Sequence, residues 1–376
     1  MEKLEIRIRE EKKDYCIFIG GGVLQKLADF LQKNHPGKKI AVVTDSTVNK
    51  LHKDKIIESI GKLNPFLILV PSGESSKSRK RKEEIEDELL ENNFGRDAVI
   101  VAFGGGVIGD LVGFVAATFN RGIPFIQVPT TLLAMADSSI GGKTSVNTEH
   151  GKNLIGAFYH PDAVFADLKF LETLSDDEFK NGLAEIIKIA VAADKKLFDF
   201  LEENHKKILS RNKEALLHII NRGVELKKEI VEKDPKESGL RQTLNFGHTF
   251  GHALELYYNY KIKHGYAVAQ GIIVESRISA MAKNLDESEE GKIRSLLKIF
   301  GFPLTVNMDV KAGKIMEFMA SDKKSKNQKP RFVILERIGK IKSEKNQFSF
   351  EADEEIVSAA INSCRNEWDC KKNKFL

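Results

Sequence analysis

The chain has 376 residues, more than one hydrophobic core usually holds, so two domains are expected. Its residues are 41% hydrophobic and 30% charged, which is ordinary for a globular protein, and the formal net charge is only +5. That charge gives no argument for a nucleic-acid partner, but it is compatible with small anionic substrates. No apolar stretch approaches the ~20 residues that span a bilayer, and the N-terminus lacks the apolar core of a signal peptide. We therefore expect no membrane partner and a cytoplasmic location.

The first half of the chain alternates short apolar runs with polar helical patterns. Runs rich in Val and Ile, closed by turn residues, predict buried strands, and segment 78–93 predicts an exposed helix. This alternation is typical of a mostly parallel sheet covered by helices. After one or two strands within the first 20 residues, the predicted strands lie at 38–45, 66–71, 97–106, 123–131 and 163–167.

The pattern changes near Leu171, where long segments with helical spacing replace the strand signals. This change predicts an α/β domain over residues 1–170 and a mainly α-helical domain over residues 171–376. Within the second domain, segment 321–340 indicates a lysine-rich loop followed by a short strand.

A Gly-x-Gly-x-x-Gly pattern, formed by Gly104, Gly106 and Gly109, follows a predicted strand and opens a predicted helix. Such glycines let the backbone approach a pyrophosphate at a helix N-terminus, although a merely tight turn has the same composition. The usual dinucleotide pattern lies in the first strand–helix unit and is followed by an acid, which is missing here. Asp45, at the end of an earlier strand, is the better candidate for the ribose hydroxyls. The sequence thus predicts a nucleotide site of a different design.

Segment 138–161 is dense in glycine, hydroxyl and amide residues and contains Lys143 and Lys152. This composition predicts an irregular loop that offers many donors to an anion, and the alternative is a solvated loop without a ligand.

Glu185 and Lys188 share one face of an otherwise apolar predicted helix. A surface salt bridge is the simpler interpretation. The apolar neighbours, however, indicate that the pair is buried, and buried charges need a partner such as a metal or a substrate.

His248 and His252 lie four residues apart near the start of a predicted helix, and His264 starts another one. A core role for the first two is the simpler alternative, and the zinc-protease pattern is excluded because its glutamate is missing. Two histidines and one carboxylate from separate helices would make a catalytic zinc site. Spacing alone does not choose among the three histidines.

Many long motifs follow one another in a single order: "GESSKS", "GGGVIGD", "VPTTLLAMADSSIGGKTSVN", "GKNLIGAFYHP", "GLAEIIK", "LRQTLNFGHTFGHA", "HG" and "SDKK". With them the sequence resembles the 3-dehydroquinate synthase family of sugar-phosphate cyclases over nearly its whole length. The resemblance implies an N-terminal NAD-binding α/β domain, a C-terminal helical domain, an active site between them, and a homodimer. It also implies the cofactors NAD and Zn²⁺ or Co²⁺.

The resemblance assigns site residues motif by motif. Glu185, His248 and His264 match the metal ligands. The catalytic set comprises Lys143, Lys188, Lys227, Arg241, Asn245 and His252. Further substrate contacts match Arg121, which in the family reaches the neighbouring subunit's site, and Asp137, Lys152, Asn153 and one of Lys323 and Lys324. The NAD contacts match Asp45, Glu74, Lys77, Gly105, Gly106, Asp110, Thr130, Thr131, Lys152, Thr173, Leu174 and Glu178.

The implied substrate is 3-deoxy-D-arabino-heptulosonate 7-phosphate, whose carboxylate and phosphate account for the many cationic residues. The family's reaction oxidises an alcohol with NAD, eliminates phosphate, reduces the ketone again and closes a carbocycle by aldol addition to give 3-dehydroquinate in the shikimate pathway. Tyr266 departs from the family, which usually has glutamate there, so altered support for His264 is expected.

Three alternatives remain at this stage. A sister cyclase could make 2-deoxy-scyllo-inosose, a valiolone or aminodehydroquinate; the first two use substrates without a carboxylate, against which Arg241 and Lys227 argue. A metal-dependent NAD polyol dehydrogenase would share the architecture but give net oxidation. A binding protein without catalysis is supported by Tyr266 alone.

Overall fold

The strands predicted in the first half form one parallel sheet in a computed structural model, which describes residues 13–307, 309–321 and 329–366. The strands of this half are β1 (Cys16–Gly20), β2 (Lys39–Asp45), β3 (Phe66–Val70), β4 (Ala98–Gly104), β5 (Phe125–Pro129), β6 (Lys143–Thr148), β7 (Gly151–Phe158) and β8 (Ala163–Asp167). Within the described ranges the sheet has six strands in the order β1-β8-β5-β4-β2-β3. All of its strand pairs are parallel.

Four helices connect these strands: α1 (Leu27–Asn34), α2 (Ser46–Ile60), α3 (Arg79–Glu91) and α4 (Gly106–Thr118). Every residue of the central strand β4 is buried, as its run of Val, Ile, Ala and Phe predicts. Asp45 ends β2 and caps α2, because its Oδ1 accepts from the amides of Thr47 and Val48 at 2.9 and 3.0 Å. The predicted α/β class is confirmed.

The chain order of the strands reverses around β2. From β2 the chain continues to β3 on one side, and β4 then pairs with β2 on the other side. In open parallel sheets, ligands bind in the crevice at the carboxyl ends of strands where the order reverses. Here Asp45 and Gly104 lie at those ends.

The loop predicted over 138–161 is wrong, because β6 and β7 form an antiparallel hairpin there. Its polar composition concealed residues that favour strands, including Thr144, Val146 and Ile155. The hairpin packs directly on α4: a Cβ on Gly113 would lie 2.4 Å from Cγ2 of Thr144. The two lysines of this segment are therefore held on a strand pair rather than on an irregular loop.

The second half is mainly helical, as predicted. Its helices are α5 (Asp176–Ala193), α6 (Lys195–Glu203), α7 (His205–Leu209), α8 (Lys213–Lys233), α9 (His248–Tyr257), α10 (His264–Met281), α11 (Glu287–Ile299), α12 (Ala312–Ser321) and α13 (Glu354–Ser363). Short strands accompany them: β9 (Val306–Asn307), β10 (Arg331–Phe332), β11 (Leu335–Arg337), β12 (Lys340–Ile341), β13 (Phe350–Glu351) and β14 (Arg365–Asn366). The strand expected within 321–340 is thus present, although most of the lysine-rich segment before it lies outside the described residues. None of the helices in the described part of the chain is long and apolar enough to cross a membrane.

The two halves pack closely where α5 begins. The sheet's last strand ends at Asp167, and α5 starts at Asp176. A Cβ on Gly182 of α5 would lie 2.4 Å from the amide nitrogen of Leu133, so α5 rests directly on the backbone that follows β5. The domain boundary at residues 170 and 171 stays a prediction.

Candidate active site

Three helices bring Glu185, His248 and His264 together. Glu185 lies in the middle of α5, and the two histidines are the first residues of α9 and α10. Oε1 of Glu185 is 3.5 Å from Nε2 of His248 and 3.3 Å from Nε2 of His264. The three candidate ligand atoms all lie within 4.8 Å of one another, a separation that suits one bound metal ion.

The chemistry of this cluster fits a divalent cation. Oε1 of Glu185 is buried and has no hydrogen-bond partner among the described residues, while Oε2 accepts from Nζ of Lys188. Burial lowers the pKa of His264, but the carboxylates of Glu255 and Glu185 outweigh it and raise that pKa to about 10. A position that stabilises positive charge this strongly, beside an unsatisfied carboxylate oxygen, suits a zinc or cobalt ion with two imidazole ligands.

A second possible metal group consists of His252, Glu255 and His264. Both carboxylate oxygens of Glu255 are already engaged, since Oε1 accepts from Nζ of Lys152 at 2.9 Å and Oε2 lies 3.3 Å from Nδ1 of His264. Glu255 therefore supports the ring of His264 from behind, as outer carboxylates commonly do at metal sites. The sequence analysis missed Glu255, although its position three residues after His252 on one helix face was a usable signal.

Tyr266 packs against Phe302 and lies beside Asp177. It is buried, its ring meets that of Phe302 edge-on at 5.6 Å between centroids, and burial together with Asp177 raises the pKa of its hydroxyl. The outer support expected at position 266 is thus supplied to His264 by Glu255.

A Tyr266→Glu variant is expected to keep its metal and to lose thermal stability. The new carboxylate would be buried beside Asp177, where like charges repel, whereas Glu255 would still orient His264. Metal content and melting temperature measure the two effects, with Tyr266→Phe as the control that keeps the ring. A clear loss of metal in the glutamate variant would show that the tyrosine itself supports the metal site.

Cationic residues assigned to the substrate lie beside the metal cluster. Nζ of the buried Lys227 donates to the carbonyl oxygen and to Oδ1 of Asp137, both at 2.7 Å. Burial alone would raise the pKa of Asp137, but the neighbouring Lys227 cation holds that pKa below its usual range. Asp137 lies in a π-helical turn, Ala134–Ser138, a distortion often found at functional sites. Residues from both halves of the chain thus form one polar cluster.

Arg241 is almost completely buried beside the hairpin. Its Nη1 donates to the carbonyl of Pro235 at 2.7 Å and its Nη2 to the carbonyl of Gly141 at 3.0 Å, whereas its buried Nε–H has no partner among the described residues. Gly141 has a φ of +92°, and a Cβ there would lie 2.3 Å from Nη2. Glycine is therefore required at this position for the guanidinium to occupy its place.

Glu237 connects two further predicted residues and was missed by the sequence analysis. It forms an ion pair with Lys143, and its Oε1 accepts from Nδ2 of Asn245 at 2.7 Å. The polar stretch around it is typical of a turn, so nothing in the residue pattern singled it out.

Gly105 and Gly106 begin α4 at the carboxyl edge of the sheet. Added Cβ atoms would lie 3.0 Å from Cγ2 of Thr131 and 3.0 Å from Oγ of Ser138, respectively, so glycine lets the start of the helix pack closely against the segment that follows β5. The amide of Thr130 donates to the carbonyl of Gly104 and fixes the adjoining turn. Free amides at a helix N-terminus bind phosphate groups, and this edge therefore fits a dinucleotide.

Lys77 joins residues assigned to the nucleotide and residues assigned to the substrate. Its Nζ is 2.5 Å from Oδ2 of Asp110 and 2.5 Å from Oδ1 of Asn153, which also accepts from Oγ of Ser145. Glu74, another predicted NAD contact, accepts from Nδ2 of Asn147 on the hairpin at 2.7 Å. The hairpin thus connects the predicted NAD residues with the predicted substrate residues.

The remaining predicted NAD contacts follow β8. Thr173 is held by His52, whose Nε2 lies 2.9 Å from the threonine hydroxyl, and Leu174 is partly buried beside it. Glu178 forms an ion pair with Lys263 at 2.8 Å. His52 was not predicted, because a single histidine on a helix carries no pattern; burial, and then the nearby Lys55, lower its pKa to about 4.

The His52 imidazole predicts a stability loss in acid. Its pKa is about 4 in the folded chain against an ordinary 6.5, so the stability it contributes is complete above pH 6.5 and is lost as the pH falls towards 4. The free energy of unfolding of a His52→Gln variant should therefore fall less steeply over this range than that of the unaltered chain. Urea unfolding at several pH values measures this, with the exposed His218→Gln as control. Equal slopes for all three proteins would contradict the assignment.

Arg121, one of the predicted substrate contacts, does not join this cluster. Arg121 is exposed and follows the end of α4, whose opposite end carries Gly106. A helix of 13 residues is about 20 Å long, so Arg121 lies far from the glycine turn of its own chain. Lys323 and Lys324 lie outside the described residues.

Solved structures of cyclases share this architecture. 2-epi-5-epi-valiolone synthase from Streptomyces hygroscopicus subsp. jinggangensis, solved with NAD⁺ and Zn²⁺, is 26% identical with a TM-score of 0.85 over 96% of this chain and 99% of that one. 2-deoxy-scyllo-inosose synthase, complexed with carbaglucose-6-phosphate, NAD⁺ and Co²⁺, is also 26% identical with a TM-score of 0.85, over 93% of this chain and 96% of that one.

Sequence comparison is more specific. Residues 67–181 match the family described as 3-dehydroquinate synthase N-terminal, and residues 182–325 match 3-dehydroquinate synthase C-terminal. The 3-dehydroquinate synthase of Thermodesulfovibrio yellowstonii is 42% identical over 365 residues, which cover 96% of this chain and all of that relative. The chain therefore belongs to the 3-dehydroquinate synthase family.

Proposed function

We propose that this chain is a lyase that converts 3-deoxy-D-arabino-heptulosonate 7-phosphate to 3-dehydroquinate and phosphate, using NAD and Zn²⁺ or Co²⁺. The observation that carries the proposal is the cluster of Glu185, His248 and His264 beside a set of buried cations. The relative that matches along its full length is named for this reaction, and the related cyclase structures contain NAD⁺ with Zn²⁺ or Co²⁺. The reaction belongs to the shikimate pathway of aromatic biosynthesis.

Glu185, His248 and His264 would hold the metal, and the Gly105–Gly106 turn together with Asp45 would hold the nucleotide. When bound, NAD⁺ takes up and returns a hydride, and the metal acts as a Lewis acid towards the substrate alcohol. Lys188 neutralises the second oxygen of Glu185 and so keeps this ligand charged and oriented.

The buried Arg241 and the more exposed Lys143 and Lys152 bind the two anionic groups of the substrate. Arg241 offers Nε–H and further guanidinium N–H groups, which suit the paired oxygens of a carboxylate. Lys143 and Asn245, held together by Glu237, and Lys152 with Asn153 on β7 provide donors for phosphate and hydroxyl oxygens. These residues form no covalent bond with the substrate. They act mainly by holding it in position and by balancing its negative charge.

His252 is the residue that exchanges a proton with the substrate. Its ring centroid is 5.2 Å from that of His248 and 6.1 Å from that of His264, so it borders the metal cluster without sharing the Glu185 oxygen. An imidazole placed beside the metal cluster could exchange a proton with a substrate hydroxyl group, directly or through one water molecule.

The rival functions are less well supported. A cyclase that makes a valiolone or 2-deoxy-scyllo-inosose has no substrate carboxylate for Arg241 to bind. Structures of a sulfoacetaldehyde reductase, a probable glycerol dehydrogenase and several alcohol dehydrogenases share the fold at 12–18% identity, which carries no argument about activity. Aminodehydroquinate synthesis is distinguished from the proposed reaction by giving the enzyme the substrate of each reaction and comparing the two activities.

Further parts of the proposal concern organisation. The chain has an NAD-binding domain over residues 1–170 and a metal- and substrate-binding domain over residues 171–376, and it works in the cytoplasm as a homodimer. The position of Arg121 beyond the far end of α4 favours a dimer, because it places this arginine away from the glycine turn of its own chain. One of Lys323 and Lys324 completes the cation set.

The cyclase reaction is tested with limiting NAD and excess heptulosonate phosphate. Because the hydride returns to the product, each NAD should support many turnovers. The phosphate concentration should therefore reach the starting substrate concentration, while the NADH concentration, measured by absorbance, stays near the enzyme concentration. NADH that rises in proportion to product would support a dehydrogenase instead. No phosphate and no NADH from metal- and NAD-loaded protein would contradict both readings.

A further inference from the structure

Glu275 is a completely buried carboxylate that contacts the start of α9. Its Oε2 accepts from the amide of Gly247 at 2.8 Å, and its Oε1 accepts from the amide of Phe250 at 3.1 Å. The first amides of a helix have no partner within the helix, and negative charge is favoured beside them. A side chain of α10 thus caps the N-terminus of the helix that begins with His248.

The same helix, α10, carries His264. Glu275 follows His264 by 11 residues, which is close to three helical turns, so both side chains leave α10 on a similar face. α10 and α9 touch through their backbones, because a Cβ on Gly271 would lie 1.8 Å from the carbonyl oxygen of Gly247. One rigid helix therefore holds one imidazole and fixes the place of the other.

The backbone fixed by Glu275 also orients the ring of His248. Nδ1 of His248 lies 3.2 Å from the carbonyl oxygen of Phe246, and Nε2 lies 3.5 Å from Oε1 of Glu185. Gly247, which lies in the turn between Phe246 and His248, has a φ of +77°. The hydrogen bond that its N–H donates to Glu275 holds this backbone conformation in place. A shift of this turn would move Nε2 away from Glu185.

We propose that Glu275 is a positioning residue of the metal centre, which sets the separation of the His248 and His264 rings through the N-terminus of α9. The inference rests on the proposed ligand set. A carboxylate removed from water needs strong compensation, and two amides at a helix end supply it. The same contact makes the geometry of the metal site depend on a residue that does not bind the metal.

The test is a Glu275→Gln variant, which keeps the size of the side chain but turns an amide NH₂ group towards one of the two N–H donors. Zinc affinity is measured by competition with a chromogenic chelator, NAD affinity by fluorescence quenching, and the geometry of the site by the visible absorption of the Co²⁺-loaded protein. Zinc affinity should fall about 10–100-fold with an altered Co²⁺ spectrum, while NAD affinity stays unchanged.

The matched control is Glu290→Gln. Glu290 is a similarly buried carboxylate on α11, where it accepts from Arg277 and Arg294, each at 3.0 Å, and contacts none of the metal ligands among the described residues. It should lose thermal stability but not zinc affinity. Zinc affinity of Glu275→Gln within about twofold of the unaltered chain, with the same Co²⁺ spectrum, would overturn the proposal.

Two further variants complete the test. If Glu275→Gln does not fold, Glu275→Asp keeps the charge but is too short to reach both amides, and it should still weaken zinc binding; unchanged zinc binding in that variant would likewise overturn the proposal. A His248→Ala, His264→Ala variant tests the ligand set itself. If that variant keeps its metal, the proposed metal site is wrong; if it loses metal while Glu275→Gln does not, only the role of Glu275 is wrong.

Discussion

A chain in which both His248 and His264 are replaced by alanine is expected to purify with far less than one metal ion and to lose its activity. These residues supply both nitrogen atoms of the proposed site, and Glu185 alone would leave a single carboxylate ligand. Lewis-acid stabilisation by a metal contributes several kcal/mol, and each 1.4 kcal/mol is a factor of ten, so kcat should fall about 10³-fold. Elemental analysis and phosphate release measure the two losses.

The control for this variant replaces two other histidines. His205 on α7 and His218 on α8 belong to none of the metal groups of the described residues, so their double alanine variant should keep metal and activity. NAD affinity should survive in both variants, because the glycine turn of α4 is untouched. A full metal content in the His248→Ala, His264→Ala protein would remove this ligand set from consideration.

Replacing Arg241 with lysine should cost at least about tenfold in kcat/KM, equivalent to about 1.4 kcal/mol of lost transition-state stabilisation, although the charge is unchanged. Lysine cannot reproduce the paired donors that suit a carboxylate. The structure adds a second effect, since an ammonium group would leave the carbonyl of Pro235 or Gly141 without its donor, which costs about 1–3 kcal/mol of stability. Steady-state kinetics and urea unfolding separate the two effects.

A Gly141→Ala variant tests the position of the guanidinium while keeping the arginine. The new Cβ would lie 2.3 Å from Nη2 of Arg241 and must displace it, so activity should fall as it does in Arg241→Lys. Gly37→Ala is the matched control: its φ is +73°, so the backbone strain is similar, but an added Cβ would contact nothing within 4 Å. Normal kcat/KM in both Gly141→Ala and Arg241→Lys would exclude Arg241 from the substrate site.

The sheet could be predicted because its strands carry an unmixed signal. The run from Ala98 to Gly104 is apolar on both faces of the strand. This pattern is typical of a strand in a parallel sheet that helices cover on both sides. The burial of Glu185 and Lys188 was predictable because both lie among apolar residues of one helix. Charged residues in such a segment are shielded from solvent and need a partner. In both cases a local pattern reports burial directly.

Contacts between distant segments left no such pattern. The hairpin of β6 and β7 was hidden because it mixes polar residues, which are assigned to the proposed site, with strand-forming residues that pack on α4. Glu275 looks like one charge on a long helix, and its role arises only because α10 crosses the start of α9. Glu237 is similar, since its partner Lys143 lies 94 residues earlier in the chain. Tertiary folding alone brings such residues to their partners.

The ammonium group of Lys77 has a thermodynamic consequence for how the two ligands bind. It lies equally close to Asp110, a predicted NAD contact, and to Asn153, a predicted substrate contact. A substrate that draws the Asn153 amide towards itself changes the hydrogen bonding of Lys77, so the binding free energies of the two ligands are not independent. Linkage then requires reciprocity: the factor by which NAD changes the affinity for substrate equals the factor by which substrate changes the affinity for NAD. A coupling of favourable sign would hold the cofactor more tightly while substrate is bound, and one of unfavourable sign would weaken its binding.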